Sequence, residues 1–382
     1  MTEHAYGLRP AWAEVDLSAI RHNARALADW AAPARLCAVV KAGGYGHGAV
    51  EVSRAALQGG ASGLAVALVE EGRELRSARI EAPVLILSEP PPDAMEEIVA
   101  ARLTPSLYTH DGLLALRKAV AAARPGRPFP VHVKVDTGMH RVGATEDMAV
   151  ALATEVAADP GLELEGFWTH LAVSEEVDHP YNPVQFERYE AALQRLGGAG
   201  VRPALRHAAN SGGALWHDRG RYDMVRCGIA LYGLLPAAAG PDAPELWPAM
   251  SLKARVSYAK RVAAGERLSY GLRYRVDRES VIATVPLGYA DGVTRSLAAN
   301  GGQVLIGGRR HPIAGTVTMD QFLVDCGPDA DVSAGDEVVL IGRQGDALIG
   351  AWEWATATGT IAYEVVCGVS GRVPRLYVDG RK

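Results

Sequence analysis

A lysine set among glycines at the end of an apolar run is the first feature of this chain able to do covalent chemistry. Ala38-Val39-Val40 lead directly into Lys41, and Gly43, Gly44, Tyr45, Gly46, His47 and Gly48 follow. At the tip of a buried strand an ammonium loses its water, its pKa falls, and the neutral amine becomes a nucleophile able to form an imine with a carbonyl. The glycines let a backbone approach a ligand closely. Taken alone, Lys41 reads equally as a snorkelling or ion-paired lysine. Two further stretches carry groups suited to an anion: His207-Ala208-Ala209-Asn210-Ser211-Gly212-Gly213 and Val225-Arg226-Cys227-Gly228-Ile229. The N–H groups of Gly228 and Ile229, joined by the Ser211 hydroxyl, would make a phosphate cradle. By itself the Asn-Ser-Gly-Gly segment reads more simply as a turn and helix cap.

These residues must be positioned by elements, and the chain supplies a regular series of them. From about residue 35 to 230, short β-rich runs alternate with amphipathic stretches, the pattern of βα units around a parallel sheet. The runs are RLCAVV, GLAVAL, PVLILS, LTPSLY, VHVKVD, LEGFWTH, PALRHAA and YDMVRCG. Eight closes a (β/α)8 TIM-type barrel, whose sites lie on the loops after the strand ends and whose phosphate sites follow strands seven and eight. The stretches 49–58, 69–78, 112–123 and 183–196 read as the outer helices. Lys41 and the candidate cradle then share one rim.

After Tyr232 the rhythm stops at LLPAAAGPDAPELWP, which reads as a connection, with the boundary near 238–246. The expected fold class is α/β: a barrel domain over 1–240 followed by a mostly β domain over 241–382, with one short helix near 350–358. Lys and Arg total 39 against 44 Asp and Glu, a formal net charge of -5, without a dense basic run, so nucleic acid is not an expected partner. The amino terminus lacks an apolar leader core and no uncharged apolar run reaches membrane-spanning length, so the expected location is the cytoplasm. Cys37, Cys227, Cys326 and Cys367 have no paired spacing; they read as small buried hydrophobes, with no metal site.

An imine-forming lysine together with a phosphate cradle is the signature of pyridoxal phosphate, an electron sink for the carbon α to an amine. The segment AVVKAGGYGHG resembles the cofactor-lysine motif of bacterial alanine racemases. KVDTGMHRVG, HAANSG, MVRCGIALYG, LSYG, PLGYADG, TMDQF and IAYEVVCG resemble the other blocks of that family in the same order, from about residue 38 to 375. The resemblance implies that Lys41 carries pyridoxal 5'-phosphate and serves as base for the D-enantiomer, with Tyr270 of the other subunit as base for the L-enantiomer. It implies that Tyr45, Asn210, Ser211, Gly228, Ile229 and Tyr363 hold the cofactor and its phosphate. Arg226 would face the pyridine nitrogen and, being a permanent cation, disfavour its protonation, a bias toward racemisation over transamination. Arg141 would bond the phenolic oxygen, oriented by Lys134, a lysine often carbamylated. Met319 and Asp320 would receive the substrate carboxylate, and Tyr289 would line the entrance. His170, linked in this family to Arg226, would help Tyr270 act as a base; read without the family it is equally a structural histidine, and Lys134 an ion-paired lysine.

The expected activity is interconversion of L- and D-alanine by two opposed bases in a homodimer with shared active sites. A racemase of serine or of broad range, and a non-catalytic pyridoxal-phosphate carrier, are the competing readings. The carrier would lack the second domain and Tyr270. Gly43 and Gly44 depart from the family, which usually has larger residues there. His140 replaces a usual glycine, and Thr318 stands before Met319 where cysteine is common.

Overall fold

The computed structural model describes residues 8–238, 240 and 242–380. The first seven residues of the amino terminus, and positions 239 and 241 of the expected connection, lie outside the described residues. The chain forms two compact units, one comprising Ala19–Gly44 and Ala49–Pro248, the other Met1–Ser18, Tyr45–Gly48 and Ala249–Lys382. The strand Ala11–Asp16 (β1) therefore joins the second unit, although it precedes the barrel in sequence.

The first unit holds eight parallel strands: β2 (Arg35–Val39), β3 (Gly63–Val66), β4 (Val84–Ile86), β5 (Thr104–Leu107), β6 (Phe129–Lys134), β7 (Leu162–Trp168), β8 (Leu205–His207) and β9 (Met224–Cys227). Their order is β8-β7-β6-β5-β4-β3-β2-β9, so the last strand pairs with the first. The ring is completed by Asp223 N–H donating to the Arg206 carbonyl (3.0 Å) and Arg226 N–H to the Ala209 carbonyl (3.0 Å). Each of the eight expected runs coincides with or overlaps one of these strands, β6 and β7 beginning two residues before theirs. Strands covered on both faces need apolar residues throughout, which is why they read as short continuous runs. The helix Ala49–Gln58 buries Ala49, Val52, Ala55 and Ala56, and the helix Tyr181–Gly198 buries Phe186, Tyr189, Ala192 and Leu196 at three and four spacing.

The second unit is built on β1, β10 (Met250–Arg255), β11 (Tyr258–Val262), β12 (Arg267–Leu268), β13 (Tyr274–Arg275), β14 (Ser280–Val285), β15 (Gln303–Ile306), β16 (Arg309–Ala314), β17 (Phe322–Gly327), β18 (Glu337–Gln344), β19 (Ala347–Ile349) and β20 (Arg375–Val378). One large sheet runs β11-β14-β17-β16-β15-β18-β10-β1-β20, and β12 pairs β13 separately. The single run SLKARVSYAKRV divides, because β10 pairs with β1 and β18 whereas β11 crosses to pair with β14. The expected helix near 350–358 is Ala351–Thr358, but Arg295–Ala299 and Ala362–Cys367 are helical as well. Helices this short span fewer residues than a periodic pattern needs to declare itself. Cys37, Cys227 and Cys326 are buried as expected; Cys367, closing its short helix, is exposed.

Candidate active site

Lys41 follows β2 at the carboxyl rim of the barrel, and the backbone beyond it turns the wrong way for ordinary residues. Ala42, Gly43, Gly44, Tyr45 and Gly46 have φ of 53°, 59°, 64°, 50° and 79°. A left-handed turn crowds Cβ against the following carbonyl, at roughly 1–2 kcal/mol for each L-residue. Gly43 and Gly44 relieve that strain in its middle. Glu71 anchors the start of the turn, its carboxylate accepting from the N–H groups of Ala42 (2.6 Å) and Ala67 (2.8 Å).

Lys134, the last residue of β6, is 4% exposed and holds Nζ 4.3 Å from the centroid of the Trp168 ring. Burial, and then repulsion from Arg226, Arg141 and Lys41, lowers its pKa from 10.5 to about 7, with Asp136 opposing. Four cationic groups thus gather within electrostatic reach at one end of the barrel. Asp136 also shapes the next loop, its Oδ1 accepting from Gly138 N–H (2.9 Å) and His140 N–H (3.1 Å), just before the exposed Arg141. His140 has φ 56°, a left-handed position that a glycine would adopt without strain.

Arg226 is buried at 2% exposure and has neutral hydrogen-bond partners. Nη1 lies 2.7 Å from His207 Nδ1, and Nη2 donates to the carbonyls of Thr169 and Ala208 (both 2.9 Å) and lies 3.3 Å from His170 Nδ1. Burial lowers the guanidinium pKa to about 10, which leaves it charged at neutral pH. His170, half-buried among these cations, is held well below the usual imidazole range by desolvation and then by Arg226. It is therefore neutral, and because a guanidinium can only donate, its Nδ1 accepts and its proton sits on Nε2.

Ser211 Oγ accepts from the N–H groups of Gly228 (3.0 Å) and Ala230 (3.4 Å), which places the hydroxyl against the backbone on either side of Ile229. The 3-10 turn Ile229–Tyr232 brings the Ala230 N–H back to that hydroxyl. Asn210 caps the short helix Ser211–Trp216: its Oδ1 accepts from Gly213 N–H (3.0 Å) and Ser174 Oγ (2.6 Å), which fixes Ser211. Trp168 and His207, absent from the sequence-derived site, flank Arg226. The signal for both was their place at the ends of β7 and β8 beside residues already singled out.

In the second unit, Tyr270 is 74% exposed and is presented by a tightly held turn. Ser269 adopts φ 61° and donates from Oγ to the Thr316 carbonyl (2.7 Å), while Thr316 Oγ1 donates to the Tyr270 carbonyl (2.9 Å). Tyr270 and Thr318 line one hollow of about 410 Å³. Tyr289 N–H donates to the Thr318 carbonyl (3.0 Å) and Ala290 N–H to the Met319 carbonyl (3.1 Å), so Tyr289 and Met319 are brought together. A Cβ on Gly288 would lie 2.2 Å from the Met319 carbonyl oxygen, so this approach requires glycine. Arg372 pairs with Asp320 at 2.6 Å, and Tyr45 and Tyr363 face each other with ring centroids 6.3 Å apart.

The sequence profile of the alanine racemase N-terminal domain matches residues 15–236, and that of the C-terminal domain matches 249–377. The chain belongs to the alanine racemase family. Alanine racemase of Symbiobacterium thermophilum is 50% identical over 371 residues, covering 97% of this chain and 98% of that one. The crystal structure of alanine racemase from the D-cycloserine producer Streptomyces lavendulae superposes with a TM-score of 0.90 at 37% identity, covering 98% of each chain. That of Bacillus anthracis alanine racemase with bound L-Ala-P gives 0.89 at 38% identity, covering 98% of this chain and 96% of that one. The expected family, and the barrel followed by a mostly β domain, are borne out. No helix among the described residues is long and apolar enough to cross a membrane.

Proposed function

We propose that the protein is a pyridoxal-phosphate-dependent alanine racemase, interconverting L- and D-alanine in the cytoplasm as a homodimer whose sites combine residues of both subunits. The observation carrying this reading is the donor set at the barrel rim. A lysine at a strand end stands with a buried guanidinium bonded to neutral acceptors and a hydroxyl already gathering two backbone N–H groups. That set suits an aldehyde, a basic ring nitrogen and a phosphate, the three polar handles of pyridoxal phosphate. When bound, the cofactor withdraws electrons from the substrate Cα and so makes its hydrogen acidic.

Lys41 holds the cofactor and moves a proton on one face of Cα. Tyr270 of the partner subunit does so on the other face, since inversion by two opposed groups is more direct than by one. The base form of tyrosine is the phenolate, scarce at neutral pH, so the Nε2–H of neutral His170 assists by donating to that oxygen and favouring its ionised form. Arg226 donates to the ring nitrogen without giving up its proton. Ser211, Gly228 and Ala230, with Ile229, Tyr45 and Tyr363, take the phosphate, and Asn210 keeps Ser211 in register. Arg141 meets the phenolic oxygen. A carbamate on Lys134 would turn one of four clustered cations into an anion and hold Arg141 in place. Met319 and Asp320 receive the substrate carboxylate, and Tyr289 narrows the entrance.

Exchange of the α-hydrogen of L-alanine in deuterated water, with appearance of D-alanine, tests this reading. The purified holoprotein should catalyse both, and Lys41→Ala should lose both together with the borohydride-reducible imine absorbance. Absence of exchange in the holoprotein would exclude a racemase; faster exchange with serine than with alanine would reassign the substrate.

A further inference from the structure

Arg226 is connected to the opposite mouth of the barrel by a chain of side chains outside the set proposed above. His207 Nε2 lies 2.9 Å from His132 Nδ1, and His132 Nε2 lies 3.0 Å from Glu165 Oε2. With the 2.7 Å contact between Arg226 Nη1 and His207 Nδ1, three hydrogen bonds run in series through the barrel interior. His207 and His132 are buried at 0% and 2% exposure. Glu165 reaches a small cavity of about 80 Å³ lined also by Arg35, Thr104, Leu205 and Met224, the first residues of β2, β5, β8 and β9. That is the mouth where strands begin, away from Lys41.

The two ends dictate the direction of every bond. A guanidinium only donates and a carboxylate only accepts. His207 Nδ1 must therefore carry a lone pair, and its neutral ring keeps the proton on Nε2, from which it donates to His132 Nδ1. His132 in turn donates from Nε2 to Glu165. Any other assignment sets two N–H groups, or two lone pairs, against each other in a dry interior. Burial and then Arg226 push His207 well below the ordinary imidazole range, and the bond from His132 holds the Glu165 carboxyl below its ordinary range.

Local structure is arranged around this chain. The register of β6 against β7 slips between Val131 and His132, leaving Glu165 as the extra residue of a bulge, which re-aims its side chain. A Cβ on Gly166, the next residue, would lie 2.3 Å from His132 Nδ1, so the imidazole occupies space that only glycine leaves open. Trp168 stacks on His207 with ring planes 12° apart, fixing the plane in which Nδ1 meets Arg226.

We propose that Glu165, His132 and His207 are positioning residues for Arg226, a one-directional hydrogen-bond chain that transmits the pull of a carboxylate at the far mouth to a guanidinium whose own acceptors are neutral. The carboxylate polarises His132, which makes its Nδ1 a better acceptor, and the same holds one ring further on. Arg226 gains a strong, oriented acceptor without a carboxylate close enough to attract a proton to the ring nitrogen it faces. The catalytic consequence rests on the proposed racemase reading; the hydrogen-bond assignment does not.

Histidine 15N NMR of the holoprotein separates the two. Both His132 and His207 should carry the proton on Nε2 and a lone pair on Nδ1, with Nε2 protons slow to exchange. Glu165→Leu removes the terminal acceptor; Arg226 still keeps the lone pair on His207 Nδ1, so the tautomer should stay, while the 15N shifts of His207, two hydrogen bonds away, should move as the polarisation is lost. Loss of such an outer partner should lower kcat on the order of tenfold, with KM for alanine and cofactor content little changed. Glu165→Gln keeps an acceptor oxygen without the charge and should move the His207 shifts part of the way, with an intermediate kcat, a test that stands if the leucine variant does not fold. A proton on His207 Nδ1 in the wild type, or His207 resonances that ignore every change at Glu165, would overturn the proposal. The predicted tautomers in a protein without racemase activity would leave the chain standing and refute only the function it serves.

Discussion

Lys134→Met should shift the stability of the protein by an amount that depends on pH, because the lysine it removes titrates far from its usual range. The amine is buried beside Arg226, Arg141 and Lys41, and its pKa falls from 10.5 to about 7. At ~1.4 kcal/mol per tenfold, that difference corresponds to about 5 kcal/mol between the two protonation states. The folded pKa of this base lies below its unfolded value. Between the two, the unfolded chain holds a proton that the native site has shed, so native stability rises with pH, by at most ~1.4 kcal/mol per pH unit. Below about pH 7 both states are protonated, the slope vanishes and the burial penalty is present in full. Methionine has similar length and no proton to lose. Its stability relative to wild type should therefore be most favourable at pH 6 and become less so by about 2.5 kcal/mol at pH 9. Urea unfolding of both proteins at pH 6, 7.5 and 9 in carbon dioxide-free buffer measures this, since groups common to the two cancel. A difference between the proteins constant to within about 0.5 kcal/mol across that range would show that position 134 does not hold a depressed amine.

The same amine should react with carbon dioxide, because at pH 7.5 about three-quarters of it is neutral against about 0.1% of an ordinary lysine. In 13C-bicarbonate the wild type should give a carbamate resonance missing from Lys134→Met, and its absence from both would end the carbamate assignment. Tyr270→Phe should lower racemisation by at least about 100-fold, the scale of one acid/base group, with bound cofactor retained. Mixed Lys41→Ala and Tyr270→Phe proteins should regain activity through one competent composite site, and demonstrated subunit exchange without recovery would count against shared sites. Tyr363→Asn should raise the serine to alanine ratio of kcat/KM by roughly 10-fold or more, the worth of one small group in a pocket; an unchanged ratio in a variant that still binds cofactor would remove Tyr363 as the size limit.

What the sequence determined by itself was whatever depends on neighbours along the chain. Continuous apolar runs marked the eight barrel strands, since a strand covered on both faces has few polar positions to spend. Three and four spacing marked Ala49–Gln58 and Tyr181–Gly198, and strand-end position singled out Lys41, Ser211 and Arg226. Tertiary structure decided what depends on closure. β1 joins β10 and β20 because its partners lie more than 200 residues away, beyond any periodic signal. The 3-10 turn after Gly228 brought Ala230 to Ser211, and backbone dihedrals made the residues after Lys41 left-handed. Lys134 is an unremarkable strand residue until the ring of strands gathers Lys41, Arg141 and Arg226 around it. His132 and His207, separated by 75 positions, meet only because β6 and β8 flank β7 and point side chains into the same interior. Hydrogen-bond direction is a property of such a meeting: each imidazole alone is free in its tautomer, and the guanidinium at one end chooses for both, in agreement with the carboxylate at the other.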